Sequence, residues 1–146
     1  MKKALIQQLK KFVLELGNDF VYMGEEFRLQ VGNKDFYVDL LFYHRELCCL
    51  VPFELKIEDF KPEFVGKLNF YLEALDRDVR KSHENPSIGV LLCKSKDDEI
   101  VEYAMSRNIS PTLIADYETK FIDKKLLQQK FHYLFNTPPI DDEINI

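Results

Sequence analysis

Two apolar runs separated by only three polar residues constrain this chain more than anything else in it. Asp35 to Tyr43 reads DFYVDLLFY, Leu47 to Lys56 reads LCCLVPFELK, and His44-Arg45-Glu46 lies between them. Runs this rich in aromatic and aliphatic residues predict two antiparallel strands joined by a hairpin. They are apolar enough to lie in mid-sheet with both faces covered. Asp39, Glu54 and Lys56 break that pattern, and charges are costly to bury unless they are paired or bound to a metal. Folding about Arg45 sets Asp39 roughly opposite position 51 or 52, within a residue or two of Glu54 along the partner strand. Alternation places Glu54 and Lys56 on one face and Leu55 on the other. One choice of register adds Asp39 to that face, together with Asp35 and Tyr37.

The residue types then point to a chemistry. Two adjacent carboxylates repel each other and take up a proton unless a divalent cation sits between them. Hard oxygen donors suit Mg²⁺ or Mn²⁺, which accept phosphate oxygens as further ligands. A lysine two residues beyond the glutamate can orient or deprotonate an attacking water, or offset charge that builds on a phosphate. The constellation fits hydrolysis of a phosphodiester. Asp35 competes with Asp39 by parity, but it begins the strand and suits a turn cap; Asp39 lies deeper. His44, at the hairpin tip, reads as a surface histidine.

Asp39 followed by Glu54-x-Lys56 across a hairpin resembles the PD-(D/E)XK nuclease signature. The surrounding residues carry the likeness further: Val31-Gly32, Asp35 through His44, Glu54-Leu55-Lys56, Gly66 through Leu72, and Asn85-Pro86-Ser87-Ile88-Gly89. From about Phe12 to about Tyr117 the chain is similar to the nuclease domain of the YhcG-type family. The resemblance implies an α/β, restriction-endonuclease-like three-layer fold, with a central mixed β-sheet flanked by helices on both faces. It implies Asp39, Glu54 and the Leu55 carbonyl as ligands to Mg²⁺ or Mn²⁺, and Lys56 as the group that positions water. By the same likeness Glu15, in Leu14-Glu15-Leu16-Gly17, matches a first-helix acid that supports metal or water. Relatives place a Gln and a Tyr four residues apart beside the site; here Lys67 and Tyr71 hold those places, as candidate nucleic-acid contacts, and Lys67 departs from the pattern. The partner implied is DNA. A preceding helical domain or partner protein, and a homodimer, are compatible with the family.

Composition sets bounds. A length of 146 residues suits one domain, with residues 1–137 forming the nuclease-like unit and 138–146 a loose acidic tail. A hydrophobic content of 46%, with 12 Phe and 7 Tyr, excludes disorder for most of the chain. No apolar run approaches the roughly 20 residues that span a bilayer, so no membrane role is expected. The start, Met1-Lys2-Lys3-Ala4, leads into an amphipathic pattern unlike a secretory signal. Three cysteines, two of them adjacent, fit a reducing cytoplasm and buried thiols. The net charge of −5 opposes nucleic-acid binding, because affinity for phosphates comes largely from Lys and Arg. Local patches and a bound cation offset it only in part.

Periodicity completes the layout. Leu5, Leu9, Phe12 and Leu16 predict a helix over 3–16 closed by Gly17. Residues 19–26 read as loop or irregular strand and 27–31 as a strand. A Pro62-initiated helix carries Phe64, Leu68, Tyr71, Leu72, Leu75 and Val79 on its inner stripe. Residues 77–85 read as a charged connection and 87–93 as a buried strand. A helix follows near residue 98, then a last strand over 112–117 and a last helix over 124–135. Gly-rich phosphate loops, zinc spacing and a Ser-His-Asp pattern are all missing from the sequence. The leading expectation is a divalent-metal-dependent DNA endonuclease. The alternative is a nuclease fold of weak or no activity used to bind nucleic acid or protein, and an RNA nuclease ranks third.

Overall fold

The hairpin occupies the middle of a five-stranded sheet because its residues are apolar on both faces and rich in β-formers. In the computed structural model, which describes residues 2–117, the elements run α1 (Lys2–Leu14), β1 (Phe20–Val31), β2 (Lys34–His44), β3 (Cys49–Leu55), α2 (Pro62–Asp78), β4 (Gly89–Cys93), α3 (Asp98–Met105) and β5 (Thr112–Asp116). The strands lie in the order β1-β2-β3-β4-β5. The first three pair antiparallel, and β4 and β5 are added in parallel. Each parallel step requires a crossover, which α2 and α3 supply. The expected helix over 124–135, the boundary at 137 and the tail over 138–146 lie outside the described residues.

Helices cover both faces of the sheet. Ile6, Leu9, Phe12 and Val13 of α1 pack with Leu40, Phe42, Val51, Phe53, Leu55 and Leu92. On the other face, Tyr71, Ala74 and Leu75 of α2 meet Leu41 and Leu50, and its Phe64 and Leu68 meet Leu91, Cys93 and Ile114. Pro62 stands at the start of α2, as the sequence predicts, and Asp97 caps α3 by accepting from the Glu99 and Ile100 amides. The seven residues of β3 are all buried, the outcome expected of a central strand.

Three local readings change. β1 begins at Phe20 rather than at residue 27, because an irregularity between Tyr22 and Gly24 breaks the alternation that would reveal it. The α2 helix runs through Asp78, so Arg77 and Asp78 belong to it. The hairpin is wider than a turn about Arg45: His44 pairs with Cys49, and Cys48 adopts a left-handed φ of 52°. His44 is buried, its Nδ1 accepts the Leu47 amide at 3.1 Å, and its ring meets Phe20 edge-on at 4.7 Å. It organises the turn from inside the core.

Phe42 sits at the centre of this packing, with edge-to-face contacts to Phe20, Tyr22 and Phe53 at centroid distances of 6.0, 5.6 and 5.5 Å. Phe42→Ala should cost roughly 3–5 kcal/mol, read as a drop in the urea midpoint at constant m-value. A loss under 1 kcal/mol would show that β2 is not the centre of the core.

Candidate active site

The wider turn fixes the register that matters. Pairing of β2 with β3 runs from His44–Cys49 to Leu40–Phe53. One step further, Asp39 faces Glu54 directly instead of facing 51 or 52. There the backbone ladder stops and side chains take its place. The Asp39 amide donates to Glu54 Oε1 at 3.0 Å, and the Leu55 amide donates to Asp39 Oδ2 at 2.8 Å. Each carboxylate replaces a carbonyl that the diverging strands no longer supply.

Asp39 also marks a change of face. Phe36 and Val38 share a cluster with Leu41 and Tyr43, so the alternation along β2 slips by one residue at Asp39–Leu40. Across from it, Glu25 bonds Gln7 of α1 whereas Phe27 packs on the α2 side. Between them Glu26 takes a left-handed φ of 48°. Bulge-like slips of this kind re-aim side chains beside sites. Asp35 and Tyr37 do not join Glu54 and Lys56, because Phe36 and Val38 take the α2 side of β2: Asp35 pairs with Arg28 at 3.1 Å, and Tyr37 is exposed.

The electrostatics follow from the burial. Glu54 is only 4% exposed. Burial pushes its carboxyl up to about 7, and the neighbouring Asp39 charge adds to the rise, while the Asp39 amide, Lys56 and Lys2 oppose it. Lys56 shares the face of Glu54, as alternation requires, and its Nζ lies 5.0 Å from the Phe64 ring centroid. Its backbone is pinned on both sides, with its amide on Leu92 O at 2.8 Å and its carbonyl accepting from Tyr117 Oη at 2.9 Å. Lys2 enters from the first turn of α1 and places Nζ 3.3 Å from Asp39 Oδ1. Nothing in the sequence patterns points to it.

The donor set suits a hard cation. Among the described residues no group of three or more Asp, Glu, His or Cys converges, so protein donors are limited to the two carboxylates and nearby carbonyls. Leu55 offers one: the N–H and C=O of a strand residue project from the same edge, and its N–H already faces Asp39. Two carboxylates and a carbonyl, with water completing the shell, is a set that Mg²⁺ or Mn²⁺ accepts.

The remaining sequence candidates separate. Tyr71 is only 3% exposed, with its hydroxyl pushed to about 12 by burial first and then by Glu54 and Asp39. It is a buried neighbour of the carboxylates and not a surface contact. Lys67 is exposed, with Nζ 5.9 Å from the Tyr71 ring centroid. Glu15 is not brought to this place. It lies one residue past α1, exposed, with its amide bonded to Lys11 O and Phe12 O. Lys2 at the opposite end of that helix is the residue that meets Asp39, about 20 Å away along the axis at 1.5 Å per residue.

Comparisons with known proteins bear on this arrangement. A family model described as the YhcG PDDEXK nuclease domain matches residues 1–132. The Escherichia coli (strain K12) protein named "Putative nuclease YhcG" is 37% identical over 126 residues, which are 86% of this chain and 34% of that protein. The chain therefore spans about a third of the length of this curated relative. A repair endonuclease from Pyrococcus abyssi superposes with a TM-score of 0.50 at 14% identity, over 84% of this chain and 46% of that one. EndoMS in its dsDNA2 complex gives a TM-score of 0.52 at 19% identity, over 80% and 44%. These solved structures share the restriction-endonuclease-like fold of this chain.

The raised carboxyl of Glu54 has a thermodynamic signature. Its folded pKa of about 7 exceeds the ordinary 4.5. The stability it contributes is complete below the ordinary value and lost as pH rises through about 7. Burial of His44 lowers its pKa and acts in the opposite direction, so a variant must isolate the Glu54 contribution. In divalent-free buffer, Glu54→Gln should exceed the wild type in stability by on the order of 2 kcal/mol at pH 8 and lose that advantage by pH 5. Urea denaturation across that range measures it; parallel curves for the two proteins would refute the assignment.

Proposed function

Because the chain belongs to the YhcG PDDEXK nuclease domain family, we propose that it is a divalent-metal-dependent nuclease that hydrolyses phosphodiester bonds in DNA. The observation that carries this reading is the direct opposition of Asp39 and Glu54 where β2 and β3 part, with Lys56 on the face of Glu54. Asp39, Glu54 and the Leu55 carbonyl would hold Mg²⁺ or Mn²⁺. Such a cation polarises a phosphoryl oxygen and makes water a better nucleophile at neutral pH. Glu54 must give up its proton to serve as a ligand, so cation affinity should rise as pH passes through about 7.

Lys56 orients the attacking water and offsets charge on the phosphate. Its ammonium lies over the Phe64 ring, and its backbone is tied to Leu92 and Tyr117, which fixes the point from which the side chain reaches the site. The buried Tyr71 closes the α2 side of the carboxylate pair, and Lys67, on the exposed edge of α2, would meet a phosphate of the same strand. Glu15 has no part in this scheme, given its distance from Asp39. Support for DNA as the polymer comes from the fold that the chain shares with a protein solved with double-stranded DNA.

A second reading keeps the fold and drops the chemistry: a binding or assembly module. The net charge of −5 favours it, as does the ammonium already paired with Asp39.

Plasmid cleavage in Mg²⁺ separates the two. Asp39→Ala and Lys56→Ala should each lose at least about 10²-fold in rate while keeping the wild-type circular dichroism spectrum. An Asp39→Ala protein that cuts like the wild type would overturn the nuclease assignment. Lys67→Ala should weaken binding of a DNA duplex and flatten its salt dependence by about one phosphate contact; an unchanged slope would remove Lys67 from the interface.

A further inference from the structure

Among the described residues, Lys2 is the basic group in direct contact with Asp39. Its Nζ is 3.3 Å from Asp39 Oδ1, and the Leu55 amide holds Asp39 Oδ2 at 2.8 Å. Both oxygens of Asp39 are therefore engaged, but by partners of different kinds. The Leu55 N–H is fixed in β3. Lys2 hangs on a flexible four-carbon stem, with its side chain 43% exposed and solvent within reach.

The helix does not hold the ammonium there. It springs from the first turn of α1, where the backbone dipole disfavours a positive group, and nothing acidic occupies that turn. What holds it is the negative charge of Asp39. A cation taking Asp39 Oδ1 as a ligand would compete with the ammonium for that oxygen.

We propose that Lys2 is a tethered occupant of the cation position, neutralising the Asp39–Glu54 pair until a divalent ion displaces it and so lowering the affinity of the site. The inference rests on the reading of Asp39 and Glu54 as metal ligands. Displacement breaks one ion pair and sends the side chain outward, with no change required in β2 or β3. The site then loads only at a concentration of cation high enough to win that exchange.

Calorimetric titration of Mn²⁺ into the metal-free chain at pH 8 tests this directly, with no reliance on cleavage. Lys2→Met should bind Mn²⁺ about tenfold more tightly than the wild type, and Lys2→Glu more tightly again. Lys3→Met, which removes an exposed ammonium one residue away, should match the wild type. Equal or weaker binding by Lys2→Met, or an equal gain from Lys3→Met, would overturn the role of Lys2 and leave the metal site standing. A flat titration for all four proteins would overturn both.

Discussion

Everything at this site depends on an exchange of hydrogen bonds between two strands that are coming apart. After Leu40–Phe53 the ladder of β2 and β3 runs out, and the Asp39 and Glu54 carboxylates accept the two amides that follow. Buried amides must find acceptors, so the two acids serve the sheet before they serve any ligand. Their positions are inherited from the strands that carry them. Acids on loops would need separate devices to hold them together.

The arrangement has a cost that defines its chemistry. A glutamate under a helix, beside a second acid, is pushed towards neutrality. The metal-free pair therefore calls for positive charge, and three sources are at hand in the structure or its chemistry: a proton, an ammonium, or a divalent ion. The fold supplies the ammonium from α1, and the register of the hairpin decides that all of this meets at one point. Had the turn closed about Arg45, Glu54 would face a different residue of β2.

Much of this was legible in the sequence. The apolar runs around Asp39 and Glu54 announced a central hairpin, and the alternation that sets Glu54 and Lys56 against Leu55 held throughout β3. Periodicity also located α2 and the parallel strands, since long amphipathic stripes are robust signals. What escaped has physical reasons. The first part of β1 was hidden because the irregularity at Tyr22–Gly24 destroys a period of two. Parity groups Asp35 and Tyr37 with Glu54 and Lys56 in one choice of register, but Phe36 and Val38 are the residues of β2 that take the α2 side. His44 read as a surface residue, because a three-letter polar break does not reveal that Leu47 turns inward and draws the imidazole with it. Lys2 carried no signal at all: its meaning comes from the docking of α1, a tertiary fact. Glu15 matched a family pattern, yet the helix runs the other way past the site and presents its opposite end.

The hydroxyl of Tyr117 on the Lys56 carbonyl joins residues 61 positions apart in the chain. It makes the far edge of the sheet a brace for the lysine of the motif. A fragment trimmed back to the hairpin and its first crossover would retain Asp39, Glu54 and Lys56 and still lack this strut. The smallest portable unit of the domain is therefore set by an aromatic side chain beyond β5, and a graft of the motif onto another scaffold would have to bring an equivalent donor with it.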